Sequence, residues 1–444
     1  MKKSIIKTIL LPAGTMMLMS TPALANMGNT GSTYGLFPTD VASAQALSLF
    51  NTSTSATYYN PANLAASRHS EITGAIFHAE HDLNVDSSNP NYDGNVLDRP
   101  SQQLMLGLKA DLSGLMKSEH PIYLGFVAGV EKFGKEMLAF TSSAEGENAQ
   151  YLQYDRQPLF LAAGIGSNVW RGIKFGAALQ VTLHNDAELT ITNDLAGETK
   201  YERLNVESRS KFRPIVGLTM NVGETFCRIK GCSLDGLDMA INYRASTDSQ
   251  TTVDANAQIP GVIPSPGVDI DVYNVIDSYQ PAVTTAGFKY DFGRWRLGFT
   301  GEYQQWSDLS SELADDTIKD QAGLEFEDIF IPRVGLEVDL NDVFMLTSGV
   351  AWEKSPLKGR SSLDVNYVDA DRLVVGLGLS ANFKHVPMIA HPVTMNVGYQ
   401  FQQLDERDFD LSRSQGPGSP DVTYATVKTD GEVHVFAGSI SLKF

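Results

Sequence analysis

The sequence predicts an all-β protein, a fourteen-stranded antiparallel transmembrane β-barrel. Three observations predict this fold. After about residue 70, short segments alternate apolar residues with small or polar ones, which is the period of a strand with one apolar face. The connections alternate between tight turns and long polar loops, as they do in bacterial outer-membrane barrels. The chain then ends in an alternating strand that finishes on Phe444.

The composition excludes several other classes of protein. The 444 residues are 42% hydrophobic and 19% charged, with a formal net charge of −18. Beyond the N-terminus no stretch reaches the roughly 18 uninterrupted apolar residues of a membrane-spanning helix. The acidic balance argues against nucleic-acid partners, which need clustered Lys and Arg. No nucleophile motif, phosphate-binding glycine loop or clear metal-ligand set is present, so we predict a non-enzyme without cofactor or metal.

The first residues have the pattern of an export signal. Lysines at the start precede an apolar run over 9–19, and Ala23-Leu24-Ala25 follows it. This order predicts cleavage after Ala25. The alternative, an N-terminal membrane anchor, is disfavoured because Pro12 and Gly14 interrupt the run. The signal predicts export, and together with the barrel pattern it places the mature protein in the bacterial outer membrane.

The two cysteines lie close together in the sequence. Cys227 and Cys232 are separated by four residues. In an exported protein this spacing favours a local disulfide over a metal site, which would need more ligands nearby.

Fourteen segments have the strand period. One of them alternates Ile173, Phe175 and further apolar residues with lysine, glycine, alanine and glutamine. A soluble β-sandwich has no reason for the alternation of short and long connections, so we favour the barrel. We predict strands near residues 71–79, 102–111, 121–131, 157–168, 171–183, 209–222, 236–247, 281–291, 293–305, 329–340, 343–353, 371–384, 392–403 and 431–444.

The residues before the first strand differ in kind. Residues 26–70 are rich in Gly, Ser, Thr, Asn and Ala and never alternate. Such a segment could fold inside the lumen, where its backbone needs hydrogen-bond partners. A disordered periplasmic extension is an equal alternative on composition. We therefore divide the chain into a signal peptide (1–25), a segment (26–69) that is a plug if it enters the lumen, and a barrel (70–444).

A family resemblance favours the plug. The stretch Thr57-Tyr58-Tyr59-Asn60-Pro61-Ala62-Asn63-Leu64 resembles the plug motif of the FadL family, the outer-membrane transporters of long-chain fatty acids and other hydrophobic compounds. Within it, Asn60, Pro61 and Ala62 carry the motif. Further matches are Tyr243-Arg244-Ala245, Trp306-Ser307 and the run from Arg333 through Trp352 to Asp371-Arg372. The resemblance covers essentially the whole mature chain.

The resemblance implies a route for the substrate. A ligand would be captured among the extracellular loops, move to a pocket in the lumen, and leave through a gap made by a kink in the third strand. Here that strand contains Gly125 and Gly129. Glycine weakens a strand and permits bulges, although both could simply be small lumen-facing residues.

The resemblance favours long-chain fatty acids as the substrate, with neutral hydrocarbons as the alternative. By the alternation, four arginines should point inward and could bind a carboxylate, although most lumen arginines pair with acids or brace a plug. The basic residues that the family's prototype presents to its ligand are not clearly matched, which keeps neutral aromatic or other hydrocarbons possible beside long-chain fatty acids. The arginines are Arg213, Arg244, Arg333 and Arg372.

The long loop before Pro281 is the best candidate for an apolar capture groove. Its apolar residues include Val262, Ile263, Ile270, Tyr273 and Ile276. We expect a monomer in contact with outer-membrane lipid and lipopolysaccharide. A non-transporting adhesin or receptor that uses the long loops is the alternative function of a different class.

Overall fold

A computed structural model gives the fold of the chain. The structure describes residues 30–88, 100–114, 120–131, 159–193, 199–227, 232–259, 263–314, 325–359, 361–363, 369–413 and 422–444.

Fourteen strands form one closed antiparallel barrel, which confirms the predicted fold class. Each strand pairs with the next along the chain, and the first pairs with the last from Glu71↔Lys443 to Ser87↔Val427. The strands are β1 Glu71–Ser87, β2 Ser101–Asp111, β3 Ile122–Glu131, β4 Leu159–Trp170, β5 Ile173–Asn193, β6 Thr199–Asn221, β7 Leu237–Arg244, β8 Ala282–Asp291, β9 Trp295–Gln305, β10 Ile329–Asp339, β11 Phe344–Glu353, β12 Arg372–Phe383, β13 Val393–Arg413 and β14 Val422–Lys443.

The two faces of the wall have opposite character. On β2, Leu104 and Leu106 point outward and are more than half exposed, whereas Met105 between them is fully buried. The same alternation continues around the barrel, where exposed apolar side chains lie on the outside. An outward apolar belt with a filled interior is the arrangement that suits a lipid surround.

Several strands are longer than the sequence pattern predicts. β1, β5, β6, β13 and β14 continue well into segments that we expected to be polar loops. Their polar residues still pair across strands, because ladder hydrogen bonds depend on the backbone and not on apolar side chains. The alternation of apolar and polar residues therefore marks the part of each strand that faces lipid. Backbone pairing between the strands continues beyond that part.

The loop before Pro281 is also a hairpin. Its strands are Thr247–Ile259 and Ile263–Gln280, and the first runs parallel to the upper part of β5. Three shorter strands lie in other extracellular loops. Glu325–Phe326 pairs with Leu357–Lys358, and Ser361–Leu363 pairs with β13.

The opposite rim carries the short turns and the chain end. β4 and β5 are joined by Arg171-Gly172, and Gly172 has the positive φ (73°) that such a tight turn requires. Ser70 and Phe444 exchange two backbone hydrogen bonds of 2.8 and 2.9 Å, which closes the barrel at this rim. Short turns identify the periplasmic side.

The helices are short. They are α1 Thr30–Thr33, α2 Pro38–Ala42, α3 Ala56–Tyr59, α4 Val222–Phe226 and α5 Ser307–Ala314, with 3₁₀ helices at Ser48–Phe50 and Pro61–Ala66. Among the described residues, no helix has the length and apolar character needed to cross a membrane. α4 follows β6 at the periplasmic rim and leads into Cys227, which forms a disulfide with Cys232.

Candidate functional site

The N-terminal segment, residues 30–70, lies inside the barrel. α2 contacts β11, β12, β13 and β14, whereas the 3₁₀ helix Pro61–Ala66 contacts β3, β4, β5 and β6 on the other side of the lumen. From Leu36 to Phe50 the side chains are almost entirely buried. Because the segment touches strands around the barrel, it fills the lumen at this level.

The backbone of the Asn-Pro-Ala motif packs directly against strands of the barrel wall. Asn60 donates from Nδ2 to the carbonyl oxygen of Leu49 (3.0 Å) and to Thr219 Oγ1 on β6 (2.8 Å), and its Oδ1 accepts from the Ala62 amide (3.3 Å). Pro61 lies against Gly176, where a Cβ would overlap the Pro61 backbone. The motif thus caps its own 3₁₀ helix and needs a glycine opposite it.

A buried carboxylate organises the first half of the segment. Asp40 is the one acidic residue between 26 and 70, and it is fully buried. It accepts from Ser48 Oγ (2.7 Å), the Phe37 amide (3.1 Å) and Asn51 Nδ2 (3.3 Å). Burial raises the pKa of Asp40 to about 6, against the opposing effect of these hydrogen bonds. The sequence analysis missed Asp40, although a lone acid in a segment of small residues was a usable signal.

Two of the predicted lumen arginines share one carboxylate. Arg244 on β7 donates to Glu302 on β9 at 3.2 Å, and Arg333 on β10 lies 3.8 Å from the same carboxylate. Arg244 also stacks its guanidinium 4.7 Å from the centre of the Tyr58 ring, and Arg333 donates to the Ala44 carbonyl at 3.0 Å. All three charged side chains are at most 5% exposed. The triad therefore joins three strands to the N-terminal segment.

The other two arginines are also engaged. Arg213 on β6 donates to Gln280 Oε1 and to the Pro281 carbonyl, both at 2.7 Å, and to the carbonyl of Ala245. Arg372 on β12 pairs with Glu353 at 3.2 Å and with Asp369 at 3.7 Å. Both line a cavity of about 30 Å³ beside Thr33 and Gln304. A cavity of this size holds water rather than a head group.

An apolar cluster fills the extracellular end of the lumen. Its members come from the N-terminal segment, the loop hairpin, α5 and the residue before it, the short loop strands and inward positions of several wall strands, and none is more than 6% exposed. We call it the upper cluster; it comprises Ala44, Tyr279, Trp306, Leu309, Phe326, Ile329, Ile331, Ala351, Leu357, Val374 and Phe409.

Arg407 holds the loop that covers this cluster, and the sequence analysis did not single it out. Its Nη1 donates to Ser355 Oγ (2.8 Å) and the Asp369 carbonyl (3.0 Å), and its Nη2 donates to the carbonyls of Leu357 (2.7 Å) and Gly359 (2.8 Å). Four acceptors on one guanidinium fix the loop between β11 and β12. Arg407 lies beyond the lipid-facing part of β13, where the sequence pattern does not indicate which loop an arginine would contact.

The periplasmic end of the lumen is polar. A cavity of about 380 Å³ lies there, below the N-terminal segment. Its lining includes Glu71, Lys289, Arg296, Asp339 and Lys443. Charged walls of this kind favour water over an apolar ligand.

The predicted kink at Gly125 and Gly129 does not appear in the described ladder. β3 pairs with β2 from Asp111↔Tyr123 to Gln103↔Glu131 and with β4 from Ile122↔Ser167 to Val130↔Leu159, without a shift of register on either side. A Cβ on Gly125 would meet Thr57 and Leu64, and one on Gly129 would meet Met105. The two glycines make room for lumen side chains, and an exit for the substrate at this strand stays a prediction.

The predicted capture groove stays a prediction. Ile263, Ile270, Tyr273 and Ile276 lie on the second strand of the loop hairpin, in the part where the backbone alone is described, and Val262 lies outside the described residues.

These features define a β-barrel of the outer-membrane type whose interior is filled by its own N-terminal segment. No family model matches the chain. The chain is 46% identical over 433 residues to alkane uptake protein A of Marinobacter nauticus, which covers 96% of this chain and 94% of that protein. It therefore belongs to the family of FadL-type outer-membrane proteins that includes alkane uptake protein A.

Solved structures share the fold at low sequence identity. A FadL homologue from Pseudomonas aeruginosa superimposes with a TM-score of 0.60 at 14% identity, covering 91% of this chain and 98% of that one. The toluene transporter TodX of P. putida superimposes with a TM-score of 0.50 at 12% identity, covering 93% and 99%. The family and the fold place the protein in the bacterial outer membrane, with hydrophobic-compound uptake as its general activity.

Proposed function

We propose that the protein takes up neutral long-chain hydrocarbons, of the alkane class, across the outer membrane. The observation that carries this proposal is the engagement of all four predicted lumen arginines by acids, amides or carbonyl oxygens of the protein itself. A fatty carboxylate would have to reach arginines that are already paired within the protein and largely closed to solvent, whereas an alkane needs apolar surface alone. This preference reverses the order in which the sequence ranked the two substrates.

The upper cluster supplies the apolar surface. It lies at the extracellular end of the lumen, under the loops that a substrate meets first. An alkyl chain gains about 0.8 kcal/mol for each methylene that leaves water for such a site. The 46% identity to alkane uptake protein A supports the same substrate class.

We further propose that the N-terminal segment is the plug and that the substrate leaves sideways into the membrane. The segment fills the lumen, and the cavity beneath it is lined by charged residues. Passage to the periplasm would take an alkyl chain through water, whereas passage into lipid leaves its transfer free energy nearly unchanged. Cleavage after Ala25 belongs to the same proposal, and sequencing the N-terminus of the protein from outer membranes checks it.

Uptake by cells that lack and then regain the gene tests the substrate. We expect the gene to restore uptake of radiolabelled hexadecane, with little effect on palmitate. Arg372→Gln serves as the matched variant, because Arg372 is the least buried of the four arginines. Palmitate uptake that equals hexadecane uptake and disappears in Arg372→Gln would support the carboxylate substrate instead.

A further inference from the structure

A groove crosses the lipid-facing side of the barrel. Its floor is a row of outward residues, one from each strand between β11 and β3 by way of β14, and each stands directly opposite the next in the ladder. The row begins at Leu346 on β11, has Gly438 on β14 at its middle and ends at Val130 on β3. Ile76 and Val397 beside Gly438 are 66% and 59% exposed, so the row faces away from the lumen. We call this feature the outer groove.

The outer groove is a hollow in a surface that should be convex. On a closed barrel, the outward side chains of strands that lie far apart point away from each other. Here Leu346 and Val130 line one space of about 1070 Å³ together with the strands between them. Because neighbouring strands lie about 4.8 Å apart, the hollow is about 29 Å long, and the tilt of the strands sets it obliquely across the apolar band.

Glycines on the inner face explain why the wall recedes here. A Cβ on Gly398 of β13 would meet the backbone of Pro38, and one on Gly376 of β12 would meet carbonyl oxygens of α2. The wall therefore lies at backbone distance from α2, further in than larger side chains would allow. On the outer face, the nearest atom to a Cβ on Gly438 would be Ile76 Cγ1 at 3.9 Å, so the middle of the groove stays open.

The groove changes from apolar to polar at its β1–β2 end. There, Gln102 donates from Nε2 to His78 Nδ1 at 3.1 Å, and His78 Nε2 lies 2.8 Å from the carboxylate of Glu80. Tyr399 lies on the same side of the groove and forms a hydrogen bond of 2.8 Å with His434. The residues come from the second row of the groove, one step nearer the extracellular side, which comprises Leu377, Tyr399, Phe436, His78 and Gln102.

Carboxylates lie on the outer face just above this polar end. Asp82 and Glu432 stand opposite each other on β1 and β14, and Glu80 stands opposite His434. Glu80 is nine residues above Glu71 at the periplasmic end of β1. At a rise of about 3.3 Å per residue and a tilt of about 40°, its height is about 23 Å, near the upper edge of an apolar band of about 25 Å. The carboxylates thus lie where lipid head groups begin.

An occupant of the outer groove has to be apolar over a long stretch and polar at its extracellular end. A lipid of the outer leaflet meets both conditions, and an acyl chain in a hollow contacts protein on more sides than one on a convex wall. Lipid A carries phosphates next to its acyl chains. Carboxylate and phosphate oxygens are the ligands that Mg²⁺ and Ca²⁺ prefer, so a divalent cation can join the two anions.

We propose that the outer groove binds an acyl chain of lipid A and that Glu80, Asp82 and Glu432 hold its phosphates through a divalent cation. This binding is independent of the substrate that the barrel carries, because the groove lies outside the wall.

Filling the middle of the groove tests the acyl-chain site. Gly438→Leu places an isobutyl group there without a clash, and it should lower the lipid A that the full-length barrel retains in mild detergent with Mg²⁺ by about tenfold or more, since each methylene that loses its contact weakens binding. Mass spectrometry of the intact complex measures retention. The matched control is Gly74→Leu, which also faces outward, with Leu106 Cδ2 at 4.0 Å as its nearest atom, but lies outside the groove.

Four results would overturn the acyl-chain site. They are equal retention by Gly438→Leu and Gly74→Leu, no lipid A on the wild type, equal retention of added phosphatidylethanolamine and lipid A, and a dimer of the wild type that Gly438→Leu abolishes, which would assign the groove to a second copy of the chain. Both variants should keep the heat-modifiable migration of a folded barrel in gels.

The divalent cation has a separate test. EDTA should lower lipid A retention by the wild type, and Glu80→Gln with Glu432→Gln should lower it even in Mg²⁺, because amides bind the cation more weakly than carboxylates. Retention that responds to neither change would refute the cation bridge, and Gly438→Leu would then decide the acyl-chain site alone. Hexadecane uptake is measured apart from retention, so failure of either proposal is seen separately.

Discussion

Arg333 on β10 donates a hydrogen bond to the carbonyl oxygen of Ala44 at 3.0 Å and so joins the barrel wall to a turn of the N-terminal segment. The turn is unusual, because Ala44 and Gln45 have positive φ angles of 47° and 62°. Such angles cost about 1–2 kcal/mol for each residue that has a side chain, and they persist where surrounding contacts enforce them. Arg333 is one of those contacts, and Gln45 supplies another by donating to the Ser32 carbonyl at 2.9 Å.

Replacing Arg333 should therefore weaken the attachment of the segment. In Arg333→Met, Glu302 keeps Arg244 but loses its second cation, and the Ala44 carbonyl loses its donor. We expect a loss of about 1–3 kcal/mol in the free energy of unfolding, the usual cost of leaving a buried carbonyl without its donor. Urea unfolding in lipid vesicles measures it. The control Arg294→Gln alters an exposed arginine and should change stability by less than about 0.5 kcal/mol; equal losses in the two variants would contradict the structural role of Arg333.

The glycine opposite Pro61 gives a second prediction. Gly176→Ala places a methyl group in the Pro61 backbone, so the 3₁₀ helix Pro61–Ala66 must move off the wall. We expect the barrel to fold while residues around Asn60 become open to protease. Gly438→Ala is the control, because its Cβ would face lipid with Ile76 Cγ1 at 3.9 Å as the nearest atom. A protected Asn60 region in Gly176→Ala would show that the contact is dispensable.

The raised pKa of Asp40 predicts how the stability of the folded protein depends on pH. Its pKa is raised from 3.8 to about 6 in the folded protein, so the folded state holds the proton more tightly than the unfolded chain. This contribution is complete below pH 3.8 and is lost as the pH rises through 6, a change of about 3 kcal/mol. Stability of the wild type relative to Asp40→Asn should therefore fall between pH 4 and pH 7. Urea unfolding of both proteins across this range measures the difference, and parallel pH profiles would refute the assignment.

The wall of the barrel could be predicted because lipid imposes a period on the sequence. Outward residues such as Leu104 and Leu106 must be apolar whatever lies inside, so alternation alone located all fourteen strands. The same register placed Arg213, Arg244 and Arg333 in the lumen. Their partners could not be predicted, since Ala44 is 289 residues from Arg333 and Glu302 is 58 residues from Arg244.

Glycine and proline were ambiguous for a related reason. Gly125 fits a bulge or a close neighbour equally well, and the neighbour Leu64 comes from a distant segment. Pro332 carried a real signal, a missing donor within a strand, but its meaning depends on which neighbour its backbone faces. That direction follows from the register of the barrel, which the order of residues does not reveal.

The four hydrogen bonds from Arg407 to the loop between β11 and β12 give the last prediction. Arg407→Lys keeps the charge but cannot reach acceptors on Ser355, Leu357 and Gly359 together, because an ammonium lacks the two-armed guanidinium. Loss of these bonds should make amide hydrogen exchange around Leu357 about a hundredfold faster, since hydrogen bonds to charged groups contribute about 1.5–3 kcal/mol each. Lys358→Met is the control, because the Lys358–Glu325 ion pair is exposed and contributes little. Unchanged exchange in Arg407→Lys would mean that packing of Leu357 against Phe326 holds the loop by itself, and hexadecane uptake would then be insensitive to these hydrogen bonds.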